Sequence, residues 1–140
     1  MISVKYLIGK WPLEIEEARR EKRLIVVTPD KALKVIHGKS QKNKITFFIS
    51  NDRVHVGILT LNKGKFTDPE VHKGDEALWA IRGSIQIKVF QEGEDENAVF
   101  TEVFMVHENE KFLIPEGFKH QYFNLSAGTS EILFAIAPEL

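Results

Sequence analysis

Asp68-Pro69-Glu70-Val71-His72-Lys73-Gly74-Asp75-Glu76, running on to Gly83, and Pro115-Glu116-Gly117-Phe118-Lys119-His120-Gln121-Tyr122-Phe123-Asn124 are the two stretches on which the reading of this chain turns. Each sets a turn signal beside a strand-like run. Side chains on a strand alternate between faces, so residues two apart share one. Glu70 and His72 therefore share a face, and so do His120, Tyr122 and Asn124. Glu76 follows His72 by four residues, with Gly74 between them, and a turn or bulge there aims it to the same side. A barrel with these faces inward brings His72, Glu76 and His120 together. Two imidazoles and a carboxylate form a divalent-metal set suited to Fe, Mn, Ni, Co or Zn.

Outward from these stretches the chain reads as β. Ile45 to Ile49 and Val54 to Leu61 are strands split by the turn cluster Ser50-Asn51-Asp52. Ala77 to Ile81 ends at Arg82-Gly83-Ser84, and Ile85 to Phe90 alternates apolar residues with Gln86 and Lys88. Gln91 to Asn97 is acidic, contains Gly93 and reads as a solvated hairpin tip, with Val99 to Val106 as the return strand. Phe112 to Ile114, Gln121 to Leu125 and Glu131 to Ala137 complete the set. Short strands at this spacing, with turns between them, predict a sandwich or barrel.

The first third differs. Pro12 to Arg23 predicts a helix, with Pro12 at its first position, acidic residues at its start and basic residues at its end. Its apolar stripe of Leu13, Ile15 and Ala18 is thin. Leu24 to Val27 is β-branched and predicts a short strand, while Thr28 to Ile36 fits helix or strand equally.

Composition narrows the classes. A chain of 140 residues with 43% hydrophobic content supports one domain with a sizeable core. A net charge of -1 provides no field to recruit nucleic acid or anionic lipid. The absence of Cys excludes disulfides and thiolate metal sites. No run reaches the ~20 apolar residues of a membrane span, and the first ten residues carry no secretory pattern, so a cytoplasmic protein is the expectation.

In this register the two stretches resemble the signature motifs of the cupin superfamily. That family's first motif reads Gly, five residues, His-x-His, three or four residues, Glu, six residues, Gly. Gly64, Glu70-Val71-His72, Glu76 and Gly83 follow that frame, and Pro115, Gly117, His120 and Asn124 follow the second. Glu70 stands where the family's first His would be, and Asn109 where the second motif's opening Gly would be. The Asn109 change costs little, because Asn tolerates the turn conformations for which Gly is used. The Glu70 change is chemical. It leaves His72, Glu76 and His120 as metal ligands, with Glu70 as a fourth ligand, a base beside the metal, or a residue that faces solvent.

The resemblance covers residues 45 to 137 and implies an all-β double-stranded β-helix, the cupin jelly-roll barrel, with a short N-terminal helical extension. The whole chain, 1–140, is then a single cupin domain, with 1–44 as the extension and 45–137 as the barrel. It implies a metal-dependent enzyme acting on a small molecule, with oxygenase, isomerase, epimerase and decarboxylase chemistry all open. A non-catalytic module that binds a small molecule or sugar is the alternative. A third reading is a metal-free sugar epimerase with His72 as base and Tyr122 as acid. Tyr122 and Asn124 are candidate substrate contacts, Asn124 having the further option of holding its turn. His37, His55 and His107 lack motif support and read as structural. The helix and the apolar run after it need a surface to pack on, which predicts a homodimer.

Overall fold

The computed structural model describes residues 10–90 and 100–140. Among these residues, nine strands form two antiparallel sheets: β1 (Leu33–His37), β2 (Asn43–Ser50), β3 (His55–Leu61), β4 (Asp75–Arg82), β5 (Ile85–Phe90), β6 (Phe100–Val106), β7 (Lys111–Ile114), β8 (His120–Phe123) and β9 (Ser130–Ala137). The larger sheet has the order β1-β2-β3-β9-β4-β7, and the smaller β6-β5-β8. The segment from Phe66 to Glu70 lies antiparallel to β8, through bridges between Phe66 and Phe123 and between Glu70 and His120. This is a double-stranded β-helix, as the resemblance of the two motifs implied.

Alternation builds the core. On β3, Leu59 and Leu61 turn inward; on β9, Ile132, Phe134 and Ile136 do so, and on β5, Ile85 and Ile87. The inward face of β4 carries Leu78 and Ala80 and, one step earlier, Glu76. The inward face of β8 carries His120 and Tyr122. The pleat that fills the barrel with apolar side chains therefore also delivers the polar ones to one end of it.

The first third departs from its expectation in three places. The helix, α1, spans only Ile15–Arg20. Lys22 takes a left-handed φ of 56°, and the Arg23 amide donates back to the Ala18 carbonyl, which closes the helix as a Schellman turn would. Lys in place of Gly at that position gives no stop signal in the sequence. Leu24 to Val27 joins no sheet among the described residues, and Leu24 and Val26 are exposed. The ambiguous stretch resolves into a 3₁₀ turn at Pro29–Lys31 followed by β1. The larger sheet thus begins at Leu33, inside the stretch 1–44 read above as extension. The hairpin tip expected at Gln91 to Asn97 lies outside the described residues.

Gly57 on β3 sits between Phe47 on β2 and Phe134 on β9, whose rings meet edge to face at 5.7 Å. A Cβ there would come within 2.6 Å of the Thr46 carbonyl oxygen and 2.8 Å of the Phe134 ring. Gly57→Ala is therefore expected to destabilise the fold by about 1–3 kcal/mol through overpacking. A drop in the urea midpoint with an unchanged slope checks this, and an unchanged midpoint contradicts it.

Candidate metal centre

Three local features assemble the site. First, Glu70 and His120 exchange both backbone hydrogen bonds across the edge of β8, N to O distances being 2.8 and 2.9 Å. That pairing places their side chains side by side on one face. Second, the chain bends between His72 and Glu76. Gly74 is buried against the Ala137 carbonyl, where a Cβ would come within 2.4 Å of the oxygen, so the bend requires the missing side chain. β4 then starts with Glu76 facing inward. Third, Asn109 takes a φ of 71°, the left-handed conformation that a Gly would otherwise supply before β7.

The outcome is a cluster of four side chains. Glu70, His72 and His120 each offer a ligand atom within 4.8 Å of the others. Glu76 Oε2 lies 3.2 Å from His120 Nε2 and 3.4 Å from His72 Nε2, and Glu70 Oε2 lies 3.4 Å from His72 Nε2. The other Glu76 oxygen accepts a 2.7 Å hydrogen bond from the Tyr122 hydroxyl. His120 Nδ1 lies 2.9 Å from the Phe118 carbonyl oxygen, which can only accept, so Nδ1 carries the proton. In the neutral ring Nε2 is then a lone pair, aimed at Glu76 Oε2. Both atoms are buried and neither has a hydrogen-bond partner. Two facing acceptors in a low-dielectric interior demand a cation between them, whether a proton or a metal ion. The donor set, two imidazoles and two carboxylates, fits a divalent transition metal.

The electrostatics follow from this crowding. Burial works to raise the Glu76 carboxyl, but the imidazoles of His120 and His72 override it and hold the group well below the usual carboxylate range. Burial works to lower His120, and the Glu76 carboxylate beside its ring overrides it, so that His120 is raised. Tyr122 is pushed well above its ordinary value by burial and then by the charge on Glu76.

One member was not legible in the motifs. His37, at the end of β1, brings Nε2 to 3.5 Å from Glu70 Oε1, and its pKa is raised chiefly by that carboxylate. The turn after His37 is stitched to the segment that carries Glu70. Asp68 accepts from the amides of Lys39 and Ser40, Asn43 donates to the Phe66 carbonyl at 2.9 Å, and Gln41 accepts from the Phe66 amide at 2.8 Å. The signal lies in those polar side chains, 25 to 29 residues from their partners except Asn43 at 23, too far for a local reading. His55 is fully buried and bonds to Ser50, and His107 sits exposed after β6, both away from the cluster.

Tyr122 lines a cavity of about 240 Å³ that opens beside Glu70, His72 and Glu76. Asn124 does not line it. Its amide donates to the Leu61 and Gly128 carbonyls, and its Oδ1 accepts from the Ser126 amide and hydroxyl. The side chain is committed to the loops at the end of β8, which is the turn-holding option.

No family model and no curated relative matches the chain. Solved structures do match in fold. An RmlC-like cupin from Shewanella frigidimarina NCIMB 400 aligns at a TM-score of 0.61 and 12% identity, over 79% of this chain and 87% of that one. The polyketide cyclase RemF from Streptomyces resistomycificus aligns at 0.65 and 16%, over 83% and 80%. The iron(II) form of HppE aligns at 0.64 and 13%, over 81% and 60%. The chain has the cupin fold.

The metal-free protein is expected to be most stable between pH 4.5 and 6.5, the ordinary values of Glu76 and His120. The depressed Glu76 contributes stability above pH 4.5 that is lost as pH falls toward its folded-state value. The raised His120 contributes stability below pH 6.5 that is lost as pH rises through its folded-state value. Thermal midpoints in EDTA from about pH 3 to about pH 9 should show that maximum. A midpoint that climbs steadily from the acid side to pH 8 or so would contradict the assignment of His120.

Proposed function

We propose that this protein is a metal-dependent enzyme of the cupin type that acts on a small molecule. His72, Glu76 and His120 hold the metal, and Glu70 either completes the ligand set or takes a proton beside it. The observation that carries this reading is the buried, unpartnered pair Glu76 Oε2 and His120 Nε2, 3.2 Å apart. A bound divalent metal supplies Lewis acidity and open coordination positions at the mouth of the cavity. The chain's own residues do the rest. Tyr122 fixes the Glu76 carboxylate, leaving the other oxygen free to ligate. The Phe118 carbonyl fixes the tautomer of His120, so that the free nitrogen faces the cluster. Glu70, the least buried of the four, lies between His37 and His72 and borders the cavity. The Tyr122 hydroxyl is already committed to Glu76 and raised in pKa, which weighs against a metal-free epimerase with Tyr122 as its acid.

Elemental analysis of untagged protein tests the metal. His120→Ala should remove most of it, and full occupancy in that variant would defeat the assignment. Glu70→Gln keeps shape and removes charge. A fall of about tenfold or more in metal affinity makes Glu70 a ligand; unchanged affinity with lost turnover makes it a base.

The protein is further proposed to be a homodimer. Leu24 and Val26 are 98% and 81% exposed on an extended segment, and Leu113 and Trp79 are exposed on the outer face of the larger sheet. A second copy covering these surfaces would remove the apolar area from water. Sedimentation should give twice 16.0 kDa. A monomer at high micromolar concentration would rule the dimer out.

A further inference from the structure

The cavity beside the cluster has two unlike halves. One wall is apolar, built from Ile45 and Phe47 on β2, Leu59 on β3, and Phe134 and Ile136 on β9. The rest of the lining is polar and acidic, with Asp68 and Glu70 on the segment that pairs with β8 and Glu76 on β4, beside Ile136. Among the described residues, no Lys or Arg lines the cavity. The imidazoles at the rim are already engaged: His37 faces Glu70, and His72 faces Glu70 and Glu76. Three carboxylates, with no Lys or Arg among the described lining residues, make this a poor site for an anion, and a divalent ion at the cluster would be offset by the Glu70 and Glu76 charges alone. The apolar wall needs a matching apolar body, and about 240 Å³ sits below the usual size of drug-binding pockets, so that body is small.

We infer that the cavity takes a small ligand with an apolar body, aliphatic or aromatic, whose polar end is uncharged or cationic, and that it excludes carboxylates and phosphates. The apolar body lies against Ile45, Leu59 and Ile136, and the polar end reaches the rim at His37 and Glu70. This reading deepens the proposed function by naming a substrate class. It rests on that function only for the role of the polar end, since the wall and the three carboxylates are there with or without metal.

Three probes of one shape test it: 3-phenylpropan-1-ol, 3-phenylpropylamine and 3-phenylpropionate. Each is titrated calorimetrically into the untagged full chain, both loaded with Mn²⁺ and stripped by EDTA. The alcohol and the amine are expected to bind at least tenfold more tightly than the carboxylate in both forms. Carboxylate binding as tight as the alcohol's overturns the inference, as does failure of both alcohol and amine to bind at millimolar concentration. Ile45→Phe fills the apolar half and should weaken the alcohol at least tenfold with Mn²⁺ content unchanged; unaltered alcohol affinity in a folded variant overturns the placement. Should that variant misfold, nuclear Overhauser contacts from the phenyl protons to the methyls of Ile45, Leu59 and Ile136 in the wild-type protein decide the placement, and their absence overturns it. Metal content is read separately. A chain that binds no metal yet prefers the alcohol and amine refutes the enzyme reading and leaves the ligand class standing; one that binds metal and prefers the carboxylate does the reverse.

Discussion

One end of the barrel is organised by one buried carboxylate. Glu76 is 4% exposed and ionised, in a place where an isolated charge would cost several kcal/mol. Its surroundings are arranged to meet that cost. Tyr122 donates to one oxygen, and His72 and His120 present their nitrogens to the other. These three partners come from β8 and from the bend before β4, so the charge ties the smaller sheet to the larger one across the barrel. A cation shared between Glu76 Oε2 and the His120 ring, whether a proton or a metal ion, balances the buried charge.

The partners are held in turn. The Phe118 carbonyl fixes the His120 ring from outside the cluster, and Glu70 and His120 lock their backbones together along the edge of β8. Apolar packing does the remaining positioning. Leu78 and Ala80 follow Glu76 along the inward face of β4, and Ile87 pairs with Tyr122 between β5 and β8. A one-residue slip of either strand would turn both its core residues and its ligand outward together, so the register that builds the core also enforces the site.

The same coupling explains what could be read from the sequence. Alternation along Ala77 to Ile81 and Ile85 to Phe90, with its period of two, made the barrel legible, and the resemblance of the two motifs named Glu70, His72, Glu76 and His120 as one cluster. The misses lie where local pattern carries no such constraint. Leu24 to Val27 has strand composition, but a strand needs a partner, and none is present among the described residues. α1 stops at a left-handed Lys22, a conformation that a lysine does not advertise. His37 looked like an ordinary histidine before a glycine, because what brings it to Glu70 is a set of polar contacts far apart in sequence.

That last contact changes how the N-terminal part is understood. β1 supplies an edge strand to the larger sheet, and the turn after it is bonded to the segment from Phe66 to Asp68, two residues before Glu70. The position of Glu70, the one site residue that departs from the cupin pattern, is therefore fixed from two sides: by β8 through the pairing with His120, and by β1 and its turn. A carboxylate in that place adds negative charge beside Glu76, and His37 sits where it can offset that charge. The replacement of an imidazole by a carboxylate inside the motif and the histidine outside the motif are thus two halves of one electrostatic arrangement, and neither is explained without the other.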